Sequence, residues 1–397
     1  MTVQPQILTS IPAPVPDLET LCNLVAVRVQ ERYTPQRFRG QRVPLHTVHR
    51  DALNDLSAMF TSDRHALPPA YLTQPRYRGA YLLYFIATGV ATVATALRQA
   101  GLPRTPEKVL RVLDLGAGPL TASLAVAMAL DPAVHLDVTA VDSVLPVLED
   151  GRALLQAVRP EASVRLVDGN LREGRVLQAL REPFDLILMA NVLNEWAIGG
   201  KKRQSPSEFV EKLLARHLAP GGAALMVEPA TRTGSHTLIE VREHLLAATG
   251  LAVLAPCMGR GPCPVHSDSK RDWCHSEQPW QRPTLVRELD EAIGHRRSTL
   301  KFSYLAVADA PQPRRAADQY RVIGGGMEQR GSFRRYLCGT KGKVVATAES
   351  EDLPKVAPLR TAWRGDALEV PGDQKPGHRG RVEETVLVPR RPGPRSR

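Results

Sequence analysis

The sequence predicts an α/β protein built on a doubly wound, mostly parallel sheet. Short apolar segments recur along the middle of the chain, helical segments separate most of them, and glycine or acidic residues follow several of them. Strands that are apolar along their whole length are typical of a parallel sheet that helices cover on both faces. Seven strands are predicted, at 109–113, 136–141, 163–167, 184–189, 222–227, 251–254 and 301–307.

Flanking regions surround this predicted domain, which spans residues 103–310 and includes a cysteine-rich insertion at 256–280. Residues 1–102 are expected to form a helical N-terminal subdomain, and residues 311–370 a small β-rich module. In the final segment, 371–397, five prolines and seven Lys/Arg residues against three acids predict a disordered basic tail. The longest apolar stretch, around 81–97, is interrupted by threonine and glycine, so we expect a buried helix and no membrane span.

Charge and cysteine content indicate the class of partner and the compartment. The 397-residue chain has a formal net charge of +11, which favours polyanionic partners because lysine and arginine displace counterions from phosphates. A GC-rich genome that encodes arginine freely is the alternative explanation. The N-terminus has no secretory pattern, so we expect a cytoplasmic bacterial protein whose five cysteines are not disulfide-paired.

A glycine-rich turn follows the first predicted strand. Asp114, Gly116 and Gly118 precede a helix that starts near Thr121. Glycine lets the backbone turn sharply and approach a ligand, and a helix N-terminus offers free N–H groups to a carboxylate. Thr121 stands where a dinucleotide-binding G-x-G-x-x-G turn has its third glycine. The acid before the glycines suits the ammonium group of an amino-acid-like ligand better than a pyrophosphate.

Two more aspartates stand at the ends of the next strands. Asp142 ends the second strand, where a carboxylate can accept hydrogen bonds from both ribose hydroxyls. Asp168 follows the third strand, in a position suited to an adenine amino group. Each aspartate alone is equally typical of a helix cap or turn. In this order at strand ends, they predict a site for a nucleotide-like ligand.

Polar residues after the fourth strand are candidates for catalysis. Asn194 is predicted to orient an acceptor amine or hydroxyl, and Glu195 to accept its proton. Asn191 is assigned to the cofactor site, although helix capping explains both asparagines equally well. The basic run 201–203 is expected at the mouth of the site, where it either holds an RNA backbone or forms a charged loop.

Four cysteines form a second candidate site. Cys257, Cys263 and Cys274 are close in sequence, and Cys338 follows much later. Four thiolates can hold tetrahedral zinc or an iron–sulfur cluster. The paired C-x-x-C knuckles of zinc ribbons are absent, and unligated cysteines are the remaining alternative. Cys22 lies apart and is expected to be a buried bystander.

Five segments resemble, in order, the motifs of class I S-adenosylmethionine-dependent methyltransferases: VLDLGAGPL, VTAVDS, VDGNL, FDLILMANVLNEW and LAPGGAALMVEP. The resemblance covers roughly residues 108–308 and implies a seven-stranded doubly wound sheet with S-adenosylmethionine as the cofactor. Many members have a third glycine where this chain has Leu120, whose bulk would narrow the methionine end of the site. The cofactor-binding residues that it implies are Asp114, Gly116, Gly118, Asp142, Asp168 and Asn191.

The cysteine segment and the sequences on either side of it resemble a narrower family. The chain is similar to methyltransferase-like assembly factors of the small ribosomal subunit, which have mitochondrial and bacterial members. The segments that carry this similarity are EPATRTGSHTLIEVREHLLAATGLAVLAPC, GPCP, DWCH, KFSYLAV, RVIGG, LCGTKG and AWRGD. The resemblance implies association with small-subunit rRNA, and a monomer is expected. It also implies a 4Fe–4S cluster, with zinc as the alternative, on Cys257, Cys263, Cys274 and Cys338.

Two functions therefore stay open at the level of sequence. The first is a methyltransferase that modifies small-subunit rRNA, which the glycines and acids of the predicted donor site favour. The second is a non-catalytic iron–sulfur assembly factor that binds rRNA without methyl transfer, which Leu120 and the absence of a known acceptor motif favour. The basic charge counts against a small-molecule methyltransferase.

Overall fold

The computed structural model describes residues 18–61, 71–103, 108–180, 182–196, 205–268, 272–349, 351–352, 355–371, 379–382 and 385–387. The helices are α1 (Leu18–Tyr33), α2 (Leu45–Val48), α3 (Arg50–Thr61), α4 (Pro75–Ala100), α5 (Thr121–Ala129), α6 (Leu145–Val158), α7 (Gly174–Gln178), α8 (Leu193–Trp196), α9 (Pro206–His217), α10 (Arg232–Ala248), α11 (Pro264–Asp268), α12 (Thr284–Ala292) and α13 (Ala357–Thr361). The strands are β1 (Val109–Leu115), β2 (His135–Asp142), β3 (Ser163–Asp168), β4 (Phe184–Ala190), β5 (Leu218–Pro229), β6 (Ala252–Ala255), β7 (Ser276–Pro279), β8 (Thr299–Ala308), β9 (Gln319–Val322), β10 (Met327–Gln329), β11 (Ser332–Gly339), β12 (Gly342–Glu349), β13 (Ala367–Glu369), β14 (Arg379–Arg381) and β15 (Val386–Leu387).

The central sheet confirms the α/β class. Its strands run in the order β3-β2-β1-β4-β5-β8-β6; β1 to β5 are parallel, and β8 is antiparallel to β5 and β6. The predicted number of seven strands is wrong, because β7 also pairs with β8 and makes eight in the described chain. This short strand has the sequence Ser-Glu-Gln-Pro, which lacks the apolar run used to recognise the others.

Helices of the N-terminal region pack on the domain that carries this sheet. The longest, α4, begins with proline in its first turn and ends at Gly101, whose φ of 67° places it in the left-handed conformation that favours glycine at helix ends. By length and composition this helix is apolar enough to cross a membrane, but 72% of its most apolar window is buried inside the protein. The buried helix predicted around 81–97 is confirmed.

Buried charges join the N-terminal helix to the domain. The Asp150 carboxylate on α6 is fully buried and accepts hydrogen bonds from Arg28 and Arg32 on α1, each at 2.9 Å. Tyr33 of the same helix also donates to Asp150. Since a buried carboxylate needs such partners, these contacts fix α1 against α6.

A second sheet forms the C-terminal module. Its order is β14-β12-β11-β9-β13-β15, with β10 beside β11, and its apolar side chains form a separate core. Strands β14 and β15 lie within residues 371–397, the segment predicted as a disordered basic tail, and that assignment stays a prediction. Val382, directly after β14, is buried in the module's core. Residues 388–397, also assigned to the tail, lie outside the described residues.

Candidate functional site

The loop Gly116–Leu120, called the glycine loop below, connects β1 to α5. Gly116 and Gly118 have φ values of 61° and 50°, in the left-handed region that favours glycine. A Cβ atom on Gly116 would lie 2.6 Å from Val192 Cγ2, whereas one on Gly118 would meet nothing within 4 Å. Gly116 is therefore needed both for its backbone conformation and for close packing against the residues that follow β4.

Leu120 also has a left-handed backbone, with φ of 56°, where it caps the start of α5. Its side chain is fully buried in the main hydrophobic core. A Cβ atom on Gly151 of α6 would lie 2.7 Å from Leu120 Cδ1. Burial of the leucine side chain offsets the strain of this conformation, and the predicted effect of its bulk on a ligand stays a prediction.

Asp142 connects the glycine loop to the end of β2. Its Oδ2 atom accepts the backbone N–H of Gly118 at 2.9 Å, and its Oδ1 atom accepts that of Val144 at 3.0 Å. Burial raises the pKa of Asp142, and the hydrogen bond from Gly118 opposes that rise. In the sheet, Asp142 stands directly beside Asp168, so the structure brings these two predicted residues together at the carboxyl ends of β2 and β3.

Asp114 faces the protein interior and is 1% exposed. Its Oδ2 atom accepts the backbone N–H of Ser123 at 3.1 Å and the Ser123 hydroxyl at 2.6 Å. Burial raises the pKa of Asp114 to about 7, and the hydrogen bonds from Ser123 oppose that rise. This carboxyl group stabilises the first turn of α5. The sequence analysis predicted only a role toward a ligand and not this structural one.

The residues after β4 form a tight turn beside the glycine loop. Asn191 has a φ of 61°, and its backbone N–H donates to the Val227 carbonyl at 2.8 Å. Asn194 lies on α8, and its Oδ1 atom is buried without a hydrogen-bond partner in the described part of the chain. The side chain of Glu195 and the basic run 201–203 lie outside the described residues.

Glu228, which the sequence did not single out, holds this turn in place. It lies near the end of β5, is fully buried, and accepts the backbone N–H groups of Leu193 at 2.8 Å and Asn194 at 3.2 Å. These N–H groups belong to the first turn of α8, which has no earlier carbonyl to bond to. Glu228 could have been identified from sequence by the pattern used for the aspartates, an acidic residue at the end of an apolar strand.

The four predicted metal ligands surround one cavity, called the cysteine cavity below. Cys257, Cys263 and Cys274 lie between β6 and β7, whereas Cys338 lies on β11 of the C-terminal module. All four line a cavity of about 140 Å³. Across the described ranges, however, no group of three or more His, Cys, Asp or Glu side chains is arranged to hold a metal ion. Cys22 is buried in α1, apart from this cavity.

Three thiols of the cysteine cavity are hard to ionise. Burial raises the pKa of Cys263 to about 11, and it also raises the pKa values of Cys257 and Cys338. The nearby Arg242 guanidinium opposes the rise at Cys257. Without a bound cation these three groups are therefore neutral thiols at neutral pH, and a cation that binds them must displace their protons.

Two arginines that the sequence did not single out also line the cysteine cavity. Arg242, on α10, donates to the Gly259 and Gly261 carbonyls at 2.7 and 3.0 Å and so holds the loop between Cys257 and Cys263. Arg321 reaches the cavity from β9 of the C-terminal module. No local sequence pattern could have found them, since only the folded chain brings them to the cysteines.

A comparison with known families identifies the chain. The profile described as mitochondrial small ribosomal subunit Rsm22 matches residues 77–366, well over half of the sequence. The chain belongs to the Rsm22 family. The predicted membership of a family linked to the small ribosomal subunit is confirmed. A comparison with curated proteins found no match.

Solved structures with a similar chain path include several methyltransferases. A putative SAM-dependent methyltransferase from Streptococcus mutans is 13% identical, with a TM-score of 0.34 over 55% of this chain and 48% of that chain. The Rsm22-family chain thus spans about half the length of that protein. An O-methyltransferase from Bacillus cereus is 12% identical, with a TM-score of 0.32 over 70% of this chain and 99% of that chain.

Proposed function

We propose that this chain binds S-adenosylmethionine at the glycine loop and acts on, or binds, the rRNA of the small ribosomal subunit. The observation that carries the first part is the hydrogen bond of the Asp142 carboxylate to the Gly118 N–H at 2.9 Å. It brings an acid and a left-handed glycine turn together at the carboxyl edge of a parallel sheet, where ligands of such sheets bind. The family description and the net charge of +11 support the second part.

Each residue at this edge has a proposed task toward the methyl donor. Gly116 and Gly118 let the backbone approach the methionine end, and Asn191 borders the same space. Asp142 accepts the ribose hydroxyls with the lone pairs that Gly118 and Val144 leave free. Asp168, exposed at the end of β3, accepts the adenine amino group. From beneath the loop, the ionised form of Asp114, which prevails above about pH 7, acts on the donor's ammonium group through its negative charge.

The proposed chemistry is an in-line displacement at the methyl carbon. A lone pair of the acceptor forms the new bond to carbon while the carbon–sulfur bond breaks, and S-adenosylhomocysteine leaves. Asn194 orients the acceptor, and Glu195 takes the proton that the acceptor loses. Asn194 suits this task because its buried Oδ1 atom has no partner among the described residues, so an acceptor N–H or O–H would satisfy it.

A second candidate function is an assembly factor that binds rRNA and the donor without transferring the methyl group. The contacts of Asp114 favour it, because this carboxyl group already bonds to Ser123 and is 1% exposed. The expected bacterial cytoplasmic location and monomeric state apply to both candidates and stay predictions.

We further propose that Cys257, Cys263, Cys274 and Cys338 hold a 4Fe–4S cluster, with zinc as the alternative. Support comes from the donor set, since four cysteines line one cavity of about 140 Å³ and thiolates are the ligands that such clusters use. The buried Nε atoms of Arg242 and Arg321, which lack partners among the described residues, also favour an anionic group there. The cluster would supply a covalent connection between the sheet domain and the C-terminal module.

The deciding experiment measures donor binding and methyl transfer with matched variants. Asp168→Asn removes the exposed acid at the carboxyl edge, and Asp137→Asn removes an acid near the opposite end of β2. We expect calorimetry to show donor binding weakened about tenfold by the first variant only. The proposal fails if the wild-type protein does not bind S-adenosylmethionine.

Tritiated S-adenosylmethionine then separates the two candidate functions. Anaerobically purified protein is incubated with small subunits from cells that lack the gene. Label in the rRNA, reduced with Asp168→Asn, would establish the methyltransferase. Donor binding and ribosome association without label would establish the assembly factor instead.

A further inference from the structure

A buried cation in the cysteine cavity has no carboxylate among its hydrogen-bond partners. Arg321 is 5% exposed and comes from β9, in the C-terminal module, yet it lines the cavity formed with the sheet domain. A guanidinium group carries its charge at every pH at which a protein folds, so its burial needs compensation.

The contacts of Arg321 are with a hydroxyl group, a cysteine sulfur and an aromatic ring. Its Nη2 atom donates to the Ser276 hydroxyl at 2.8 Å, and its Nη1 atom lies 3.7 Å from Cys274 Sγ. The guanidinium carbon lies 5.6 Å from the centre of the Tyr304 ring. The Nε atom is buried with no partner in the described residues. Among the described residues, these contacts of the buried charge include no carboxylate.

The second arginine of the cavity is compensated differently. Arg242 forms an ion pair with Glu243, whose carboxylate also accepts the backbone N–H of Cys263 at 3.0 Å. It also donates to the Gly259 and Gly261 carbonyls of the loop that carries the cysteines, and it hydrogen-bonds Cys257. Arg242 therefore positions this loop, and Arg321 is the cavity arginine whose charge is left to be balanced.

We propose that Arg321 is the counter-charge of an anionic thiolate centre and that it couples docking of the C-terminal module to the presence of that centre. Four thiolates around a cluster core or zinc ion of charge two plus carry a net charge of two minus. Arg321 reaches the cavity beside Cys274, from the sheet that also carries Cys338. The module thus contributes both a ligand and the cation that offsets the charge of the ligand set. This inference rests on the centre proposed above.

The test compares Arg321 with an arginine that has the same burial and a different task. Arg335 is 6% exposed on β11 of the same sheet, and it donates to the carbonyls of Gly324, Leu359 and Arg360. Full-length wild type, Arg321→Gln, Arg321→Lys and Arg335→Gln are purified without oxygen. Iron, sulfide and zinc are quantified, and the rate of metal loss to a chelator and the thermal midpoint are measured for loaded and stripped protein.

We expect Arg321→Gln to accelerate metal loss about tenfold and to lower the midpoint of loaded protein more than that of stripped protein. In an iron-loaded protein, losing the positive charge of Arg321 should also disfavour the reduced cluster. A tenfold lower ratio of reduced to oxidised cluster at fixed potential corresponds to a midpoint potential lower by about 59 mV. Arg321→Lys keeps the charge and should restore most of the retention. Arg335→Gln should lower both thermal midpoints equally and leave metal loss unchanged.

The outcomes separate this inference from the proposal on which it rests. Wild-type protein that retains neither iron with sulfide nor zinc would overturn the centre and the role of Arg321 together. A loaded protein in which Arg321→Gln and Arg335→Gln behave alike would overturn the role of Arg321 alone. If Arg321→Gln does not fold, Arg321→Lys decides the question, since a counter-charge predicts metal retention close to that of wild type.

Discussion

The glycine loop and the cysteine cavity are built in different ways. The residues of the first site lie at or just after the carboxyl ends of parallel strands, so consecutive strand-loop-helix units bring Asp114, Gly118 and Asp142 to one edge. The cysteine cavity instead needs two sheets, because Cys338 and Arg321 come from the C-terminal module and the other cysteines from the sheet domain. The first site depends on local geometry, and the second depends on docking.

Cys338→Ser should have the largest effect and should break the second site alone. It removes the one cysteine that the module supplies, so we expect bound metal to fall at least about tenfold. Hydrogen exchange along β9 and β11 should accelerate, because the module loses its connection to the cavity. Donor affinity, measured by calorimetry, should stay within about twofold, since the glycine loop lies at a different part of the fold.

Cys22→Ala is the control for that experiment, because this cysteine is buried in α1, apart from the cavity. It should lower stability and leave the metal content unchanged. If Cys338→Ser abolished donor binding at unchanged stability, the two sites would not be independent and the comparison would fail.

Asp114 provides a pH test of the local site. Burial raises the pKa of this carboxyl group from 3.8 to about 7, so the folded protein keeps a proton that the unfolded chain releases. Between about pH 4 and pH 7 the folded state then binds more protons, and its stability falls as pH rises. The full effect is on the order of 4 kcal/mol, complete above about pH 7.

Asp114→Asn should flatten this dependence, since asparagine resembles the protonated acid and does not titrate. Urea unfolding of both proteins at several pH values measures the slope. The neighbouring aspartate at this edge, Asp142, is unchanged in the variant, so the difference between the two curves reports the substitution of Asp114. Parallel curves would show that the carboxyl group is ionised in the folded protein throughout this range.

The glycine loop, whose residues lie at consecutive strand ends, was easier to predict from sequence than the cysteine cavity, which needs two sheets. Asp114, Gly116, Gly118 and Asp142 were found from sequence because the strand period and the residue after each strand place them without knowledge of packing. The hydrogen bonds of Asp114 to Ser123 were not predictable, because they depend on how the side chain turns beneath α5.

The same reasoning found the cysteines but not what surrounds them. Spacing suggested a shared site, yet Arg242 reaches it only in the folded sheet domain, from α10, and Arg321 only after the module docks on that domain. Strands β7 and β14 were missed because short polar segments carry no periodic apolar signal. These features need tertiary contacts before they can be recognised.

Gly116→Ala and Gly118→Ala form a matched pair within the glycine loop. Both substitutions strain a left-handed backbone by about 1 kcal/mol. Only Gly116→Ala adds a clash, with Val192 Cγ2 at 2.6 Å from the new Cβ, which brings its expected cost to about 2–4 kcal/mol. Urea unfolding should rank the two variants in this order. Equal losses would mean that Val192 moves aside and that close packing of the loop is not required.

Glu228→Gln tests whether the turn after β4 is held for function. The amide keeps the shape of the side chain but directs an N–H₂ group toward one of the two backbone N–H donors, Leu193 or Asn194. The expected loss of stability is about 1–2 kcal/mol. If the turn positions Asn194, label transfer to rRNA should fall further than donor affinity, because the donor's own contacts are intact. A variant that lost donor affinity and label transfer in equal proportion would show Glu228 to be a general structural residue. A selective loss of transfer would assign the acceptor side of the site to this turn.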